Sequence, residues 1–75
     1  MIRWQHAVGR FTIKIEVDSE RAPYPYFVYV NDSKGERTEE GAFQTHMEAT
    51  LFIENDLRPG LEVVEAQLRG RGGDA

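Results

Sequence analysis

Apolar and polar residues alternate along the first part of the chain, and the phase of the alternation changes once. From Phe11 to Asp18 the odd positions Phe11, Ile13, Ile15 and Val17 are apolar, and the even positions Thr12, Lys14, Glu16 and Asp18 are polar. A period of two rich in β-branched residues predicts a half-buried strand. Upstream, Ile2, Trp4, His6 and Val8 hold the even positions, so one unbroken strand would send the two sets to opposite faces. Gly9 stands at the phase change. Either a one-residue bulge there or a bend into a separate short strand brings Trp4, His6 and Val8 onto the face of Phe11 and Ile13.

Residues 23 to 30, PYPYFVYV, crowd aromatic side chains onto a strand whose two faces have to be covered separately. Pro23 and Pro25 deny backbone donors to a neighbour and mark the strand's entry, after a polar connection over residues 18 to 23. From Tyr26 onward one face receives Tyr26, Val28 and Val30, the other Phe27 and Tyr29. Val28 and Val30 suit the space under a helix. Phe27 and Tyr29 are then expected on the open face, next to Thr12, Lys14 and Glu16. The run NDSKGER supplies turn chemistry, with Gly35 at the left-handed position. A third strand from about Glu36 to Gly41, carrying Arg37, Glu39 and Glu40, has the composition of a solvated edge.

Thr45 followed by Glu48 is a capping box, and it predicts a helix from about His46 to Leu57. Ala49, Phe52, Ile53 and Leu57 share the face that packs on the sheet, while Met47 and Leu51 form an i, i+4 pair on nearly the opposite side. Pro59 and Gly60 read as the stop, with Arg58 complementing the helix C-terminus. Residues 61 to 68, LEVVEAQL, fit both periods; the Val63-Val64 pair and the Pro-Gly break favour a strand returning to the sheet. The tail over 70–75 has nothing to bury and is expected to be disordered. The expected architecture is a single α+β domain over 1–69: a small, mostly antiparallel sheet of three to four strands with one helix packed on one face, in the order β-β-β-α-β.

Composition narrows the functional classes. A chain of 75 residues buries only about 60% of its unfolded surface, so its core is marginal and a second subunit would stabilise it. The absence of cysteine closes the disulfide route and excludes thiolate zinc sites. A net charge of −4, from thirteen carboxylates against nine Lys and Arg, opposes the basic footprint of nucleic-acid binding. No apolar run reaches signal-peptide or membrane-span length, so the expected location is cytoplasmic, with no membrane association.

Candidate chemistry is sparse. The two histidines, His6 and His46, share no metal-ligand spacing, and the serines fall in loops without a base at a set spacing. No catalytic residue, cofactor or metal is therefore expected. The surplus aromatic face points to a protein partner, above all a second copy of the chain, in a homodimer with a regulatory or adaptor role. The expected contact residues are Tyr26, Phe27 and Tyr29, rimmed by Lys14 and Arg10, with Met47 and Leu51 on the helix. Two alternatives use other features. Glu36, Glu39, Glu40, Glu54 and Asp56 suit an acidic inhibitor, of the kind phages encode, that covers a partner's nucleic-acid-binding surface. The sheet aromatics suit stacking with single-stranded bases.

Overall fold

The phase change at Gly9 is a hairpin. In the computed structural model, which describes residues 2–74 and the side-chain surroundings of residues 2–70, β1 (Ile2–Val8) and β2 (Phe11–Val17) pair antiparallel across a Gly9-Arg10 turn. Gly9 has φ of +57°, and among the described residues no non-glycine residue has positive φ. That is the backbone pattern of a type II′ turn, with glycine at its first central position. Val8 faces Phe11, His6 faces Ile13 and Trp4 faces Ile15. Directly opposed residues share a face, so the two apolar sets come together as the bend required. A register shift between Ile2 and Trp4 leaves Arg3 as the extra residue at the start of β1.

β3 (Tyr26–Asn31) and β4 (Arg37–Phe43) complete an antiparallel open sheet of order β1-β2-β3-β4. Between β2 and β3, Asp18 accepts the Glu20 amide through its carboxylate at 3.0 Å and opens a 3-10 turn over Ser19–Arg21. The Ala22–Pro23 peptide is cis. In the β3–β4 loop the Asp32 carboxylate accepts the Lys34 and Glu36 amides at 2.8 and 2.9 Å, and Gly35 has φ of +84°, as its place in the turn demanded.

The helix begins where the capping box put it. The Thr45 hydroxyl oxygen accepts the Glu48 amide at 3.1 Å, and the hydroxyl donates to the Glu48 carboxylate at 3.3 Å. α1 (His46–Phe52) leads into a π turn over Ile53–Leu57, and α2 (Arg58–Asp74) continues it. Residues 61 to 68 are therefore helix and not strand. The fourth strand comes from the N-terminal segment, and the order is β-β-β-β-α. In an ordinary helix Pro59 would press its ring on the carbonyl four residues back and offer it no donor. The π turn lies immediately upstream, where the Arg58 amide reaches back five residues to the Ile53 carbonyl, and this wider turn lets the helix pass the proline. Arg58 accordingly sits mid-helix, paired with Glu54 at 3.5 Å and Glu62 at 3.2 Å. The helical backbone takes in residues 70 to 74 of the segment expected as a disordered tail, and Ala75 lies outside the described residues.

The widened turn also keeps the helix in phase with the sheet. Ala49, Ile53, Leu57 and Glu65 are buried and Leu61 is half-buried, a spacing of four throughout. A pure α-helix would rotate that series steadily away from the sheet. The helix crosses the sheet diagonally, α1 against β3 and β4 and α2 against β1. Between them lie Val8, Ile13, Ile15, Val28, Val30, Ala49, Ile53 and Leu57, with Trp4, Phe11, Tyr26, Phe43, Phe52 and Leu61 packed around them. Ile13, Ile15, Val28 and Ile53 are almost wholly withdrawn from water.

Candidate interaction surface

Phe27 and Tyr29 project from the sheet face opposite the helix, as alternation required, yet they are buried, at 6% and 4% exposure. Their rings stack at 5.9 Å, and guanidinium groups roof them. Arg21, carried by the 3-10 turn, lies 4.2 Å from the Phe27 centroid; Arg37, from β4, lies 3.9 Å from that of Tyr29. Lys14 approaches Tyr29 from the other side, its ammonium 6.0 Å from the ring centre. Planar cations over aromatic faces are attracted by the ring quadrupole, and their aliphatic stems cover apolar surface. Among the described residues the face is therefore closed within the chain by arginines from flanking elements.

Carboxylates hold the roof in place. Arg21 donates two parallel hydrogen bonds to Glu39, at 3.0 and 2.9 Å, and Arg37 lies 3.5 Å from Glu16. The bidentate bond from Arg21 holds the Glu39 carboxyl below the usual glutamate range, and Glu39 in turn raises Arg21. Burial, and then hydrogen bonding to Glu16, push the Tyr29 hydroxyl above the ordinary tyrosine value. Glu39 faces Tyr29 across the β3–β4 ladder and Glu16 faces Phe27 across β2–β3, so each acid stands opposite one ring and holds the arginine that lies over the other.

The remaining expected contact residues are divided among other surfaces. Tyr26 lies on the helix face, half-buried, with His46 edge-on at 6.2 Å and the Arg3 guanidinium 5.8 Å from its centroid. It does not join Phe27 and Tyr29. Arg10 is engaged at the hairpin turn, where its side chain and amide donate to Glu65 at 2.9 and 3.3 Å. Met47 and Leu51 are exposed, at 72% and 53%, and Val63 continues their ridge two positions out of step with the buried series. Ile2, Tyr24 and Val64 are the other open large apolar side chains among the described residues.

Sequence reasoning missed the roles of Arg21, Arg37 and Glu65. Arg37 sits opposite Asn31, beside Tyr29 on the neighbouring strand, a pairing that follows once the loop length is known. Arg21 and Glu65 carried no comparable signal. Among the described residues no group of three or more His, Cys, Asp or Glu is placed to hold a metal ion, and no helix is long and apolar enough to cross a membrane. The fold is a four-stranded antiparallel sheet backed by one helix. Comparison with protein-family models, curated proteins and solved structures finds no match to this chain.

Proposed function

We propose that this chain is a non-enzymatic protein-binding module that self-associates, with a regulatory or adaptor role in the cytoplasm. The observation that carries the reading is the set of large apolar side chains left open on so small a fold: Ile2, Tyr24, Met47, Leu51, Val63 and Val64 are 41% to 72% exposed. A core of this size supplies little surplus stability, and an interface with a second copy would add to it. Phe27 and Tyr29 enter such an interface only through the arginines that cover them. Both histidines serve as ring partners, His6 stacked on Trp4 and His46 against Tyr26, which supports a packing role for them over a chemical one. Sedimentation equilibrium from low micromolar to millimolar concentration tests the reading. A dimer is expected, and a monomer across that range overturns it.

A second reading keeps the acidic surface as the contact. Glu36 and Glu40 flank the β4 edge and Asp56 lies on the exposed side of the π turn, which suits an inhibitor that covers a basic, nucleic-acid-binding surface of another protein. Binding of that kind weakens steeply with added salt, whereas apolar self-association does not. Base stacking on the sheet has less support, because guanidinium groups already occupy the Phe27 and Tyr29 faces.

A further inference from the structure

The sheet ends in two unlike edges. β4 is guarded: Arg37, Glu39 and Glu40 line it, and a register shift against Val28 and Tyr29 interrupts its pairing. Such features oppose addition of another strand. β1 has a single charged residue, Arg3, and no proline, its irregularity is confined to its first residues, and Ile2, Arg3, Gln5, His6 and Ala7 are exposed.

The Gly9-Arg10 turn determines which backbone groups of β1 remain free. In a two-residue hairpin the residues flanking the turn exchange hydrogen bonds, and the exchange recurs at every second pair. Val8, His6 and Trp4 are thus bonded inward, to Phe11, Ile13 and Ile15. The amides and carbonyls of Gln5 and Ala7 point outward. An antiparallel copy of β1 can set outward groups against outward groups in a register centred on Gln5 or on His6; the first overlaps the whole of Ile2–Val8, whereas the second sets His6 against the partner's His6 and runs Ile2 and Arg3 past the end of the partner's strand.

We infer that β1 pairs antiparallel with β1 of a second copy about a two-fold axis at Gln5, joining the two sheets into one of eight strands. This rests on the self-association proposed above and names its surface. In this register Gln5 faces the partner's Gln5, Arg3 faces the partner's Ala7, and no like charges meet. Trp4 faces the partner's His6 in a non-hydrogen-bonded pair, where side chains approach most closely. Trp4 already stacks on its own His6 at 5.9 Å, so four rings form one cluster across the axis.

The helix provides a second, independent argument. From His46 to Asp74 it is about 43 Å long at 1.5 Å per residue, while a four-stranded sheet is only about 15 Å across. The molecule's long axis is 47 Å. α2 meets β1 at the hairpin end, where Glu62, Glu65, Ala66 and Arg69 face Val8 and Gly9. Its C-terminal end therefore passes beyond the β1 edge. The antiparallel pairing sets the partner's Ile2, Arg3 and Trp4 beneath that overhang. This is the corner of the helix face that each chain's own helix leaves uncovered, for Trp4 is only half-buried and Arg3 is exposed.

Sedimentation equilibrium combined with Trp4 fluorescence tests the inference on the full chain. The wild type is expected to dimerise, with the emission of its only tryptophan moving to shorter wavelength as dimer forms. Gln5→Lys and Gln5→Glu each set like charges across the axis and are expected to weaken the dimer roughly three- to fivefold. An equimolar mixture of the two should recover wild-type affinity or better. Gln5→Pro removes an outward amide that the monomer does not use, and should abolish dimerisation with circular dichroism unchanged. If that variant misfolds, the Lys and Glu mixture still decides. A dimer indifferent to all Gln5 variants but dissociated by Leu51→Lys overturns the β1 edge and leaves self-association standing; a wild-type monomer throughout overturns both.

Discussion

Glu65 is the one charged residue among the described side chains that is buried, and it joins elements 55 positions apart in sequence. Burial works to raise its carboxyl, but the Arg10 amide and guanidinium, helped by Arg69 at 3.6 Å, outweigh this and hold it below the usual glutamate range. A carboxyl depressed in the folded state contributes stability above the ordinary glutamate range and loses it as pH falls through the folded value. Urea unfolding should therefore show Glu65→Gln less stable than wild type at neutral pH, the two converging as acid protonates the wild-type carboxyl. Gly9 is tied to the same group: a Cβ there would meet the Glu65 side chain at 2.5 Å, whereas one on Gly35 would meet nothing within 4 Å. Both positions have positive φ, so alanine costs each about 1–2 kcal/mol through the backbone alone. Gly9→Ala should lose more than Gly35→Ala in thermal melts, and the excess should vanish in a Glu65→Ala background.

Among the elements, the helix departs most from its sequence signals. Pro59 and Gly60 are strong stop residues, and the capping box located the start well; neither could reveal that a π turn would carry the chain past the proline. Leu61, Val64 and Leu68 have helical spacing, against which the β-branched Val63-Val64 pair weighs for a strand. Packing reversed that weight, because Leu61 and Glu65 continue the buried line from Ile53 and Leu57. Gly60 is exposed with open space around it, so it only weakens the helix. Gly60→Ala should stabilise the fold by about 0.5–1 kcal/mol, visible as a raised urea midpoint with unchanged slope.

At the scale of the whole molecule, each face of the sheet is closed by a different device. The helix covers one with aliphatic side chains; two arginines cover the other and are held by Glu39 and Glu16. Removing both arginines should re-create the open aromatic face that alternation alone implies. Arg21→Ala with Arg37→Ala is expected to lower the midpoint of urea unfolding. It should also expose Phe27 and Tyr29 to an apolar fluorescent dye at neutral pH, where the wild type binds little.

Local rules determined much of this protein: the strand faces, the phase change at Gly9, the loop at Gly35, the helix start at Thr45 and the outward Met47 and Leu51. Each depends on periodicity or on contacts within a few residues, so each is legible in order along the chain. Tertiary structure alone decided the rest. Residues 61 to 68 are helix because a buried line on the sheet rewards continuing past Pro59. Phe27 and Tyr29 are closed because the turn before their strand and the edge strand after it fold back to deliver Arg21 and Arg37 to their rings. Such outcomes depend on which surfaces meet, and a one-dimensional pattern states which residues need cover without stating what will provide it.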